Sequence, residues 1–269
     1  MSEDTVDFTV FTKPWRTPLP ELGHCIHGLG FAGVELPVRP GYQVEPDGVE
    51  RGLPAAARTL AEFGLRIDSV AGPTDLRTIA ACAEAGVRLI RVCIGIPPNR
   101  GYLDHQRQIQ RQFARLVPAL DRYGVAIGVQ NHAGRDVANA MGLRHLVGPF
   151  DPTHVCAVWD PAHCALAGEV PELAADILWS HLRLVNLKNG IWDRRSPPQA
   201  RYAQYRPVWV GGREGLCPWP AVVEQLRRRH YAGTVCLTAE YSDPSSLERR
   251  VAADLDFARS LFSANPPGE

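Results

Sequence analysis

The chain has 269 residues, with 29 Lys+Arg against 29 Asp+Glu and 45% hydrophobic side chains. A nucleic-acid binder draws most of its affinity from neutralising phosphates, so zero net charge argues against nucleic acid as a partner. No run reaches the roughly 20 apolar residues that span a bilayer, and Met1-Ser2-Glu3-Asp4 is acidic rather than a secretory leader, so a soluble, cytoplasmic protein with no membrane partner is expected.

In chain order, short β-branched runs alternate with longer segments of helical period. Strand candidates begin at Phe8-Thr9-Val10-Phe11, Gly33-Val34-Glu35-Leu36, Arg66 to Val70 and Arg88 to Ile94. The second half adds Val125 to Gln130, Val155 to Trp159, Leu182 to Leu187 and Thr234 to Ala239. Helix candidates lie between them at Leu53 to Phe63, Leu76 to Ala85, Gln106 to Tyr123, Pro171 to Trp179, Pro218 to His230 and Ser246 to Phe262. Gly64, Gly86, Gly124 and Gly233 sit where a left-handed residue would end a helix before the next strand. Eight βα units without a linker predict an α/β chain folded as a single (β/α)8 TIM barrel, one domain over 1–269. No Gly-x-Gly-x-x-Gly turn follows the first strand, which speaks against an open dinucleotide-binding sheet. The connection from Asn189 to Cys217 is too long for a simple turn and carries Trp192, Arg194, Arg195, Tyr202, Tyr205, Arg206 and Trp209, so it is expected to be a lid-like insertion.

Seven cysteines, at 25, 82, 93, 156, 164, 217 and 236, are scattered with no Cys-x-x-Cys pair. That usage suits buried thiols in a reducing compartment better than a disulfide framework or a structural zinc site.

Barrel chemistry sits at the C-terminal strand ends. Five strands run there into polar residues: Glu35, Gln130-Asn131-His132, Asp160-Pro161-Ala162-His163, Asn186-Leu187-Lys188-Asn189 and Glu240-Tyr241. Alternation places Gln130 with His132 on one face and Asn186 with Lys188 on one face. Each has a plainer explanation: Asp160 as a turn-starting cap before Pro161, His163 as a packed histidine, Glu240 paired to an arginine, Glu35 paired to Arg39. Five rim positions together are hard to explain by turns alone. The remaining histidines, together with Trp179 and Trp219, are read as structural, and Arg227-Arg228-Arg229 as a solvated helix face.

These motifs resemble the xylose isomerase-like TIM barrels, which include sugar (phosphate) isomerases and epimerases, inosose dehydratase and endonuclease IV. The resemblance spans essentially the whole chain and rests on Gly30 to Leu36, Gln130-Asn131-His132, Asp160-Pro161-Ala162-His163, Asn186 to Asn189, and Tyr231-Ala232-Gly233-Thr234 leading to Glu240. In the epimerase branch a divalent cation is held by Glu, Asp, His and Glu; the matching positions are Gln130, Asp160, Asn186 and Glu240. Two of these four are neutral amides here, and Asn189 stands where the family has an acid. The resemblance therefore implies Mn²⁺ or Mg²⁺ rather than Zn²⁺.

An amide cannot act as a general base, which impairs a symmetric two-carboxylate epimerisation. The expectation is a sugar isomerase or epimerase that removes a proton next to a carbonyl. Glu240 or His132 would be the base, His163 the acid, Lys188 or the metal the enolate support, and Glu35, Trp192 and Arg206 would bind substrate. The alternatives are a lyase or dehydratase acting on a keto-sugar or inosose by β-elimination, and a non-catalytic carbohydrate-binding barrel. An endonuclease IV-like nuclease is disfavoured, since its three-zinc cluster needs more His and carboxylate ligands. Dimers are common among such barrels, so a homo-oligomer is implied by analogy.

Overall fold

The computed structural model describes residues 6–264; the acidic segment 1–4 lies outside them. Eight parallel strands close into a barrel: β1 (Asp7–Phe11), β2 (Gly33–Pro37), β3 (Arg66–Ala71), β4 (Leu89–Cys93), β5 (Ala126–Gln130), β6 (Val155–Trp159), β7 (Leu182–Leu187) and, after a hairpin of β8 (Asn189–Arg194) and β9 (Tyr205–Val210), β10 (Thr234–Leu237). Closure pairs β10 with β1 on one side and with β7 on the other. Going round the barrel, β5 lies opposite β1.

Helices cover the outside: α1 (Leu19–Gly28), α2 (Val49–Ala61), α3 (Leu76–Glu84), α4 (Tyr102–Tyr123), α5 (Ala140–Val147), α6 (Pro161–Leu166), α7 (Pro171–Leu178), α8 (Trp219–Arg228) and α9 (Leu247–Ser263). α1, α5 and α6 have 10, 8 and 6 residues, too few turns for their period to stand out in the sequence.

The core has two compartments. Outward-facing strand residues such as Val34, Ile90, Val129 and Val185 pack against the helices. Inside the barrel, Phe11, Ala71, Leu89, Ala126, Cys156, Val158, Leu184 and Cys236 fill the axis as packed layers, so the site can only be at the rim. Trp219 is buried as expected and stacks on Phe257, with ring centroids 5.7 Å apart.

Gly64, Gly86 and Gly124 take the left-handed conformation after their helices, with φ of 71°, 76° and 61°. The expectation for Gly233 is corrected. His230 makes the left-handed turn after α8, at φ 53°, while a Cβ at Gly233 would meet the Tyr231 ring at 2.5 Å. Glycine is needed there for close packing rather than for its backbone freedom.

The 189–217 connection contains a two-stranded antiparallel hairpin, registered from Asn189↔Val210 to Arg194↔Tyr205. Among the described residues no helix is long and apolar enough to cross a membrane.

Candidate active site

At the end of β6, Asp160 does two things with one carboxylate. Its Oδ1 accepts the backbone N–H groups of Ala162 (3.1 Å) and His163 (3.2 Å), which caps α6, and Pro161 starts the helix without wasting a donor. Its Oδ2 accepts from Gln130 Nε2 at 2.8 Å. Asn131 ties the ends of β5 and β6 together: it donates to the Asp160 carbonyl (2.9 Å) and accepts from the Asp160 N–H (2.8 Å). The capping explanation of Asp160 and its position at the rim are therefore both true. Burial pushes its pKa up to about 6, against the pull of Lys188.

His163 is buried beside Asp160, with Nε2 3.6 Å from Oδ2. Its Nδ1 accepts the N–H of Ala133 at 3.0 Å, so in the neutral ring the proton sits on Nε2. Burial first, and then the charge of Lys188, lower its pKa to about 2. This ring stays neutral at physiological pH.

His132 stacks against it, with centroids 4.2 Å apart, but is half-buried. Its Nδ1 lies 2.9 Å from the Ala133 carbonyl, which can only accept, so Nδ1 carries the proton and Nε2 keeps its lone pair. Asp136 Oδ2 is 3.4 Å from the same Nδ1. The pair has the form of a base held by an orienting carboxylate.

Across the rim, Ala239 takes the left-handed conformation at φ 52°, an unfavourable posture for alanine that sets the direction of the next side chain, Glu240. Glu240 Oε2 accepts from Lys188 Nζ at 2.8 Å, and Oε1 accepts from Lys13 Nζ. Burial alone would raise the Glu240 pKa, but the two ammonium groups outweigh it and hold it at about 2. The Lys188 ammonium also lies 3.6 Å over the Trp209 ring, whose edge meets His163 at 5.0 Å. Through Trp209 the hairpin touches the site.

Gln130, His132, His163, Lys188 and Glu240 all line one cavity of about 240 Å³ that opens at this rim, together with Lys13 and Arg39. A larger cavity of about 420 Å³, lined by Arg66, Asp68 and Arg183, lies at the opposite end, where barrel strands contribute to stability rather than chemistry.

The residues at the metal positions do not fit a divalent cation. Gln130 turns its N–H, not its oxygen, to Asp160, and both Glu240 oxygens hold ammonium groups. Asn186 is fully buried with no partner for either amide atom. Among the described residues no three His, Cys, Asp or Glu side chains form a group that could hold a metal. With Gln130 donating and Glu240 paired to two lysines, these side chains do not present the donor set that the expected Mn²⁺ or Mg²⁺ would need.

Residues 26–261 match the xylose isomerase-like TIM barrel family. The chain belongs to that family. The barrel is also similar in fold to solved structures. A 3-keto-D-glucoside 4-epimerase from E. coli matches with a TM-score of 0.70 and 16% identity over 95% of this chain and 100% of that one. A D-psicose 3-epimerase from Clostridium cellulolyticum H10 matches with 0.73 and 14% over 96% and 100%, and an L-ribulose 3-epimerase with 0.74 and 12% over 96% and 95%. No curated protein sequence matches the chain.

The three residues expected to bind substrate in this xylose isomerase-like barrel lie away from the cavity, and Asp160 and Asn186 are buried behind its wall. Glu35 is fully buried and spent on Arg91, which donates to both of its oxygens, and on Ser69 Oγ at 3.0 Å. Its partner is not Arg39. Trp192 donates its Nε1 to the Leu166 carbonyl at 3.0 Å and packs on α6. Arg206 faces solvent with Asp193 3.6 Å away, its cross-strand neighbour in the hairpin. Conversely, Lys13 and Asp136 were not singled out in the sequence, and Arg39 was read only as a partner for Glu35. The run Phe11-Thr12-Lys13 was a sixth strand ending in polar residues, and that signal could have found Lys13.

Proposed function

We propose that this chain is a sugar isomerase that moves a proton next to a carbonyl, with His132 as the base. The observation that carries the reading is the orientation of His132: Nδ1 is tied to the Ala133 carbonyl and Asp136, and Nε2 is left as an acceptor on the cavity wall. His132 Nε2 takes the proton from the carbon beside the carbonyl, and Asp136 steadies the imidazolium that forms. The negative charge moves onto the carbonyl oxygen, where the Lys188 ammonium and the His163 Nε2–H are the available donors. His163 works as a neutral donor rather than as the acid first expected, because burial keeps it unprotonated.

Glu240 is a poor base. Both of its oxygens are engaged and its pKa lies near 2. A single base serves one face of the substrate. That suits a transfer in which the proton leaves one carbon and returns to its neighbour on the same face, the pattern of aldose–ketose interconversion, better than an epimerisation with a base on each face. The same reading places the enzyme in the reducing cytoplasm, supported by seven cysteines that are all free thiols.

The test is incubation with a panel of ketoses, aldoses and keto-sugars in D₂O, followed by proton NMR. The reading predicts exchange at the carbon next to the carbonyl together with aldose–ketose interconversion. Exchange accompanied only by inversion, or by loss of a hydroxyl as water, would replace it with an epimerase or a dehydratase.

A further inference from the structure

Resting on the isomerase reading, we infer that the substrate carries an anionic group, a carboxylate or a phosphate, which binds at Arg39 and Lys13 on the side of the mouth opposite His132. The cavity wall carries four cationic side chains, Lys13, Arg39, Arg91 and Lys188, against two carboxylates, Asp136 and Glu240, with Asp160 beneath Gln130. Arg91 is spent on buried Glu35, and Lys188 is shared between Glu240 and Trp209. Arg39 is different. Its guanidinium has the Phe11 ring 5.8 Å away and is paired with no carboxylate among the described residues. Lys13 brings a second charge, which shares Glu240 with Lys188.

Lys13, which reaches the cavity while paired to Glu240, and Arg39 come from neighbouring strand ends. Lys13 follows β1 and Arg39 follows β2, and these strands are neighbours in the barrel. Tyr42 Oη donates to the Lys13 carbonyl at 3.3 Å and accepts from Arg16 at 3.1 Å. Gln43 Nε2 donates to the carbonyls of Trp15 (3.1 Å) and Thr17 (2.8 Å), and the Arg39 N–H donates to Val44 at 3.1 Å. These bonds tie the backbones of the two loops together, and the ledge they form brings Lys13 and Arg39 to one cavity. Because β5 lies opposite β1, a substrate anchored on the ledge extends across the mouth and presents its other end to His132. The ledge takes the substrate-binding part expected of Arg206, which faces solvent beside Asp193 instead.

Isothermal titration calorimetry with D-glucose, D-glucuronate and D-glucose 6-phosphate tests this without any need for turnover. At least one anionic probe should bind about tenfold tighter than glucose, with an advantage that shrinks as salt is raised. Which anion wins tells carboxylate from phosphate. Arg39→Met should erase the preference and Arg39→Lys retain part of it, and Lys13→Gln serves as the second variant, with circular dichroism confirming that each folds. Equal affinity for glucose and both anions, no binding of any probe, or a preference untouched by both Arg39→Met and Lys13→Gln overturns the inference. Anion binding that survives alongside a failed D₂O exchange would reject the isomerase chemistry and leave the ledge standing.

Discussion

Asp160 and His163 titrate in opposite senses, and the sign can be followed group by group. In the fold Asp160 holds its proton up to about pH 6, whereas an unfolded aspartate loses it near pH 4, so this group alone makes stability fall as pH rises through that window. His163 resists protonation down to about pH 2, whereas an unfolded histidine binds a proton below about pH 6.5, so this group alone makes stability rise with pH up to that point. Between about pH 4 and 6 the two slopes, each up to about 1.4 kcal/mol per pH unit, cancel. Lys188, His132, Glu240 and Gln130 face the pair. Urea unfolding across pH 4 to 6 should therefore show Asp160→Asn gaining stability with rising pH relative to wild type, and His163→Gln losing it. Parallel profiles for all three proteins would show that the pair is not coupled in this way. At the same scale, His132→Gln should cut D₂O exchange by about 10²- to 10⁴-fold with folding unchanged, measured by NMR and by thermal denaturation. The roles of these residues were only half legible in the sequence. Strand ends could be read, but whether Glu240 is a base or a paired acid depends on Lys13, 227 residues away, which only barrel closure brings to it.

The hairpin is hinged on Asn189, and this explains why an amide stands where the family has an acid. Asn189 Oδ1 accepts from the Gly190 and Cys217 N–H groups, both at 2.9 Å, while Nδ2 donates to the carbonyls of Gly212 (2.8 Å) and Cys217 (2.9 Å). Gly215 leaves the room for it, since a Cβ there would lie 2.0 Å from Oδ1. A buried carboxylate would face two carbonyl oxygens with no proton to offer. Asn189→Asp should destabilise the protein by about 2–4 kcal/mol in urea unfolding at pH 7, and a loss below about 0.5 kcal/mol would mean that the latch is not rigid. The hairpin itself escaped the periodicity reading because Pro207 stands opposite Trp192 and the strands carry aromatic and charged residues with no apolar alternation. Its length and aromatic content did mark it as an insertion. Which aromatic reaches the site was decided by pairing register, which turns Trp209 inward and leaves Tyr202 and Tyr205 exposed.

At the scale of the molecule, all eight barrel strands were legible, because βα alternation with β-branched strands is a repeated pattern that one weak element cannot hide. Zero net charge was legible too, but it averages over a rim that carries Lys13, Arg39, Arg91 and Lys188 against Asp136 and Glu240. What a single sequence could not supply was the pairing of charges across the mouth, and with it the fate of the metal site: Gln130 and Asn186 could be read as amides, but not that lysines occupy both oxygens of Glu240. It follows that Mn²⁺ or EDTA should leave the melting temperature unmoved within about 1 °C, since a ligand that does not bind the fold cannot stabilise it. On the isomerase reading, proton transfer is carried by this chain's own side chains. The most direct measurement is the D₂O exchange rate of one active sugar, followed by NMR on wild type and His132→Gln, each treated with EDTA and then supplied with Mn²⁺. Wild type should exchange at a rate unchanged by either treatment, and His132→Gln should exchange about 10²- to 10⁴-fold more slowly. Exchange that vanishes with EDTA and returns with Mn²⁺, or a His132→Gln rate within about tenfold of wild type, would contradict this.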